Sequence, residues 1–127
     1  MRFLVDTHVL VWSLADSSRL SERARELLAD PENEFWVSSA SVWEIAIKVL
    51  RGKLALLEPL AGLERAIHDA GFRALPVTLR HAAAIESVAA LHGDPFDRLL
   101  LAQCEVETLR LLTADQELKR LAVAVGC

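Results

Sequence analysis

Cysteine is almost missing from this chain: Cys104 and Cys127 are the only two in 127 residues. No metal-ligand spacing relates them, so a thiolate metal cluster is excluded. Cys104 falls in a helical pattern and reads as a small buried side chain, and Cys127 as a free terminal thiol. Long apolar runs are missing too. None approaches the length of a membrane span, and no secretory signal precedes the first apolar stretch, so the expected location is the cytoplasm with no membrane partner. The sequence has no internal repeat, no low-complexity tract and no Gly/Ser linker. An excess of positive charge is also lacking. The formal net charge of −4 argues mildly against a nucleic-acid binder, which usually carries a basic stripe. It does not exclude an enzyme whose acidity is concentrated at a metal site, where a bound cation reverses the local field.

What remains is a globular composition, 53% hydrophobic and 25% charged. The length suits a single domain over residues 1–127 with a sizeable core. The chain is organised around Phe3-Leu4-Val5-Asp6-Thr7-His8. Its apolar run has no period-2 alternation and reads as a strand buried on both faces, ending on a carboxylate. In open parallel sheets that end of a strand is the ligand-binding rim.

Elements alternate from there. A helix is expected over about 8–15, a second from Ser21 to Ala29, and a strand at Phe35-Trp36-Val37. Ser38 to Leu50 is the strongest helical pattern, with Val42, Ile45, Ala46, Val49 and Leu50 on one apolar face and Gly52 as its stop. A helix over about 59–70 precedes an edge strand at 73–77. Thr78 caps a helix expected to run to Leu91. Asp94-Pro95 opens another that runs to about Val106. Leu109–Thr113 reads as a strand, Ala114–Arg120 as a helix and Leu121–Val125 as the last strand. The alternation predicts a three-layer α/β/α fold with a mostly parallel sheet of four or five strands.

Four acids stand at comparable places: Asp6 and Asp115 after strands, Glu44 two turns past a strand, and Asp97 in the first turn of a helix. Each has a plain structural explanation. Asp6 can cap the helix after it, and Ser41-x-x-Glu44 has capping-box spacing. Glu44 can pair with Lys48 at i+4, and Asp97 and Asp115 suit helix starts. Together they weigh differently, because all four should open on one rim of the sheet. Two unit charges 4 Å apart repel by about 4 kcal/mol at an effective dielectric near 20. Mg²⁺ or Mn²⁺, held by carboxylate oxygens and water, removes that cost. Such a site suits phosphodiester hydrolysis by a metal-activated water, with no Ser, Cys or His nucleophile.

The segments Leu4-Val-Asp6-Thr-His8, Ser38-Ser-Ala-Ser-Val-Trp-Glu44-Ile, Asp94-Pro-Phe-Asp97-Arg-Leu-Leu-Leu-Ala-Gln103 and Leu112-Thr-Ala-Asp115 resemble the PIN-domain family, and more closely its VapC-type toxins. They occur in the family's order and span nearly the whole chain. The resemblance implies a Mg²⁺- or Mn²⁺-dependent endoribonuclease, with Asp6, Glu44, Asp97 and Asp115 as catalytic and metal-holding acids. Thr7, Ser38 and Thr113 would be polar neighbours of the site. It also implies a homodimer and a cognate VapB-type antitoxin. RNA binding would rest on local cations such as Arg19, Arg51, Lys53 and Arg98. Each of these four is also an ordinary solvated side chain, as are His8, His68, His81 and His92 ordinary partly buried ones. Trp12, Trp36 and Trp43 offer stacking faces or plain packing.

Two other readings stay open on the residues alone. A receiver or phosphatase-like phosphoryl-transfer domain also gathers acids at parallel strand ends. It would want an adjacent acidic pair or Asp-x-Asp, where this chain has Asp6-Thr7-His8. A catalytically silent binding module would keep the fold without needing four mutually repelling acids.

Overall fold

A computed structural model of the chain describes residues 1–88, 93–121 and 124–126. His92, Cys127, the far end of the helix expected to reach Leu91 and part of the last expected strand lie outside the described residues.

Five strands form one sheet in the order β3-β2-β1-β4-β5, and every pairing is parallel. They are β1 (Arg2–Val5), β2 (Glu34–Ser38), β3 (Arg73–Leu75), β4 (Arg110–Thr113) and β5 (Ala124–Gly126). The first strand of the sequence is thus the central one. Phe3, Leu4 and Val5 are fully buried, as a run without alternation requires when both sheet faces are covered. Successive side chains point to opposite faces and sort into two cores. Phe3, Val5 and Leu112 join Val9, Leu10, Ile45 and Ile67 on one side. Leu4 and Leu111 join Leu100, Leu101 and Cys104 on the other.

The first core is covered by α1 (Thr7–Leu14), α2 (Glu22–Ala29), α3 (Ser39–Leu50) and α4 (Leu63–Asp69), the second by α5 (Leu79–Ala83), α6 (Ile85–Val88) and α7 (Pro95–Glu107). The punctuation follows the expected chemistry. Ser21 Oγ accepts from the Ala24 amide at 3.0 Å to start α2. Asp94 caps α7 through the Asp97 amide at 3.0 Å, with Pro95 in the first turn. α4 ends at Gly71, whose φ of +90° is open to glycine at little cost.

Four expectations need correcting. Ala114–Arg120 is not an α-helix: only Leu118–Arg120 forms a short 3-10 turn. Asp115 Oδ1 accepts the amides of Glu117 at 2.8 Å and Leu118 at 3.1 Å in the manner of a helix cap, but the turn it opens ends after Arg120, with Leu121 extended. The helix after Thr78 breaks at Ala84, whose carbonyl takes the Ser87 amide at 3.1 Å in an i to i+3 bond. Leu50, assigned to the apolar face of α3, is exposed. The stretch 59–70 opens as a 3-10 turn, Leu60–Gly62, before α4.

His81 is fully buried and structural. Its Nδ1 accepts the Thr78 amide at 3.0 Å, so the ring proton sits on Nε2 and is donated to Glu107 Oε2 at 2.7 Å. One imidazole thereby caps α5 and ties it to α7. Burial also pushes the Cys104 thiol up to about 12, leaving an inert side chain rather than a nucleophile.

Replacing Gly71 by Ala isolates the backbone cost, since an added Cβ there meets no atom within 4 Å. The expected loss is about 1 kcal/mol of unfolding free energy, read from urea melts.

Candidate functional site

The sheet's C-terminal rim carries a row of polar side chains. Val5 pairs with Leu112, and Leu4 with Trp36. Continuing that register brings Asp6 level with Thr113 on one side and Ser38 on the other. The Asp6 amide extends the ladder by donating to the Leu112 carbonyl at 2.9 Å. All three residues are buried. A parallel sheet puts polar residues at such a position only where its strands stop and helices begin.

Asp6 is the N-cap of α1 by backbone conformation, yet its side chain makes no cap hydrogen bond. The carboxylate turns instead to β4, where Thr113 Oγ1 donates to Asp6 Oδ2 at 2.6 Å. The same Thr113 oxygen accepts the Asp115 amide at 3.0 Å. Thr113 therefore fixes Asp6 and places the residue that leads out of β4. Burial pushes the Asp6 carboxyl above the usual carboxylate range. The Thr113 hydroxyl, His8 and the Thr7 backbone pull the other way, and the Glu44 carboxylate adds a further upward push. A buried acid facing a second acid is held in a state that a cation would relieve.

Glu44 is placed by α3 and held by α1. Thr7 Oγ1 lies 2.8 Å from Glu44 Oε1 and 3.0 Å from Ser41 Oγ. Its single proton belongs on the charged acceptor, which leaves the Ser41 hydroxyl to donate back to Thr7. Ser41 is thus not the cap of a helix start. That role falls to Ser38, whose Oγ accepts the Ala40 amide at 3.0 Å. Lys48 Nζ closes the arrangement 2.9 Å from Glu44 Oε2.

The other two acids stand at element starts: Asp115 after β4 and Asp97 in α7. Asp115 follows β4 by two residues and spends Oδ1 on the amides of the turn after it. Asp97 lies in the first turn of α7. Its neighbour Phe96 meets Trp43, the neighbour of Glu44, with ring centroids 5.5 Å apart, so the helices carrying the two acids touch at this rim. Among the described residues no three His, Cys, Asp or Glu side chains are close enough together to cage a metal ion. Mg²⁺ does not need such a cage. It keeps several waters and takes one or two carboxylates plus substrate phosphate oxygens, and an all-oxygen set around Asp6 and Glu44 suits that habit.

The cations chosen from sequence are spread out. Arg98 follows Asp97, but its Nη2 donates to the Gly93 carbonyl at 2.6 Å. Arg51 and Lys53 are exposed at the end of α3, where seven residues of helix separate Arg51 from Glu44 by about 10 Å of axial rise. Arg19 is exposed in the turn before α2. Two side chains at this rim escaped the sequence reading as site members. Ser41 was legible only as a cap, and Lys48 only as a helix pair. His8, exposed, stacks on Trp12 with centroids 5.8 Å apart. An apolar cavity of about 490 Å³ between α1, α3 and α4, lined by Val11, Leu14, Ile45 and Leu63 among others, includes none of the four acids.

A family model described as the PIN domain matches residues 3–124. Ribonuclease VapC22 of Mycobacterium tuberculosis is 30% identical over 117 residues, covering 91% of this chain and 88% of that protein. Two solved structures share the fold. VapBC2 from Rickettsia felis bound to a DNA fragment from its promoter matches with TM-score 0.68 at 13% identity, over 100% of this chain and 98% of that one. FitAcB from Neisseria gonorrhoeae matches with TM-score 0.68 at 21% identity, over 98% and 96%.

Because the Asp6 carboxyl is raised in the folded state, its ionised form costs stability at neutral pH. That cost is absent below the unfolded value of 3.8 and complete above the folded one. Asp6→Asn should therefore melt at a higher temperature than the parent in EDTA at neutral pH. The gain should shrink as pH falls through the folded value towards 3.8. A lower melting temperature for Asp6→Asn at neutral pH would mean that the Asp6–Thr113 bond outweighs burial.

Proposed function

The chain belongs to the PIN-domain family, and from that membership we propose that it is a divalent-metal-dependent endoribonuclease, the toxin of a VapBC-type toxin–antitoxin pair. The observation that carries the reading is the buried Asp6 carboxylate on the rim, gripped by Thr113 and facing Glu44. The relative named as a ribonuclease and the solved VapBC complex agree with it. Its expected setting is the cytoplasm. No helix among the described residues is long and apolar enough to cross a membrane, in keeping with that setting.

Asp6 and Glu44 would hold Mg²⁺ or Mn²⁺ with water completing the shell, and Asp97 and Asp115 are the further acids that family membership assigns to the site. The ion would supply a water of lowered pKa and offset charge on the phosphoryl oxygens. The chain's own part is to keep its acids ionised and oriented. Thr113 fixes the Asp6 rotamer and favours its charged form. Thr7 orients Glu44 from the first residue of α1. Ser38 caps the start of α3, and Ser41 holds that helix to Thr7 of α1. Asp6 follows a strand anchored in both cores, and Glu44 stands within α3, anchored in the first through Ile45, which would hold their separation while RNA comes and goes.

Arg19, Arg51, Lys53 and Arg98 are proposed contacts to the RNA backbone outside the carboxylates. Their spread favours a substrate that runs across more than the rim alone. The VapB-type antitoxin and the homodimer follow from family membership.

The test is cleavage of a mixed cellular RNA pool by the purified, antitoxin-free chain. Discrete fragments are expected with Mg²⁺ or Mn²⁺ and none in EDTA. Asp6→Asn should cut at least about a hundredfold more slowly. Intact RNA from a folded protein that binds metal would turn the reading towards a silent binding module. Charge removal at Arg51 and Lys53 together should weaken RNA binding, and unchanged affinity would take those two out of the interface.

A further inference from the structure

The cation nearest the Glu44 carboxylate comes from the same helix. Lys48 Nζ lies 2.9 Å from Glu44 Oε2, with the Lys48 side chain 35% exposed and that of Glu44 only 14%. The other oxygen, Oε1, takes the Thr7 hydroxyl at 2.8 Å. Both oxygens of Glu44 are therefore engaged, one by the hydroxyl of a buried threonine and one by the ammonium of a partly exposed lysine. An exposed i to i+4 pair does little beyond steadying its helix. This one differs in two respects. Its carboxylate is largely withdrawn from water, and its charge acts on the deeper carboxylate of Asp6. Lys48 supplies the positive charge that two neighbouring acids require when no other cation is present.

The oxygen that Lys48 occupies is the one a divalent ion would need. Both cannot hold Oε2 at full strength. A lysine suits such an exchange: its ammonium is a compact charge on a flexible four-carbon stem with three rotatable donors. Once displaced, it remains tethered one helical turn from Glu44, beside the rim where a phosphodiester would lie.

We propose that Lys48 is an exchangeable counter-ion, paired with Glu44 in the resting chain and transferred to a phosphate oxygen of bound RNA when a divalent ion takes the carboxylate. The inference rests on the nuclease reading above. It assigns Lys48 a part in substrate binding that neither a helix-stabilising pair nor a metal ligand would have.

The test uses the purified full chain and two readouts that should move in opposite directions. Mn²⁺ affinity, measured by titration calorimetry, should be up to about fivefold tighter in Lys48→Met, because the competing ion pair is gone. KM for cleavage of an RNA fragment recovered as a substrate from the cellular pool should rise. The slope of log KM against log salt should become shallower by about 0.7, the share of one phosphate contact on a single strand. Lys48→Arg should restore the KM and its salt dependence. Unchanged Mn²⁺ affinity and KM in Lys48→Met would reduce Lys48 to a helix pair. Weaker Mn²⁺ binding together with lower kcat in both variants would make it a fold support. Either result overturns the proposal and leaves the nuclease reading intact, whereas a wild-type chain that binds no Mn²⁺ overturns both.

Discussion

The hydrogen bond from Thr113 to Asp6 holds the site together and joins it to the fold. It links the last residue of β4 to the residue after β1, across the central pairing of the sheet, at 2.6 Å and out of contact with water. Without a donor at Thr113, a carboxylate in that position would lose the bond that most opposes the upward push of burial on its pKa. With it, the charged form is kept at a cost that the two cores bear. Every other feature of the rim is arranged around this bond. Asp115 is placed by the same hydroxyl, and Thr7 starts its helix one residue after Asp6 and turns its own hydroxyl to Glu44.

The sheet makes that arrangement rigid. β1 lies in the middle and is paired on both edges, so its C-terminal end cannot move relative to its neighbours without breaking two ladders. Phe3 and Val5 lock one face while Leu4 locks the other. The second face is further tied by His81, which caps α5 and reaches Glu107 at the end of α7. The α-helix that carries Asp97 is thus fixed at its far end by a buried imidazole and at its near end by Asp94. Catalytic carboxylates need such anchorage, because a displacement of about 1 Å from productive geometry costs on the order of a hundredfold in rate.

The acids are not equivalent. Asp6 and Glu44 form the inner pair, each steadied by a threonine hydroxyl. Asp115 spends Oδ1 on the amides of the turn that follows, and Asp97 lies in the first turn of α7 next to the Phe96–Trp43 contact. On the proposed reading, a hard cation here would take few protein ligands and leave positions for water and substrate. The arrangement also explains how four acids coexist in one small chain: two of them are partly discharged by local amide and lysine contacts.

Much of this was legible in the sequence. The unalternating Phe3-Leu4-Val5 run specified a strand covered on both faces, and the recurrence of strands and helices specified a parallel sheet, because period and length are local properties of the chain. Ser21, Asp94 and Gly71 marked element ends for the same reason. The four acids could be named because their types and places relative to strand ends are written in order. Tertiary structure alone decided what each of them touches. Whether Asp6 caps its own helix or turns to β4 depends on Thr113, more than a hundred residues away in the chain. Ser41 and Glu44 fit a capping box by spacing, and only the approach of Thr7 across the core shows that they serve the rim instead. The stretch after Asp115 carried a helical pattern, and Asp115 caps its first turn, but the chain becomes extended at Leu121 after one 3-10 turn. Local sequence sets which conformations are cheap, and contacts between distant residues, formed only when the sheet closes, select among them.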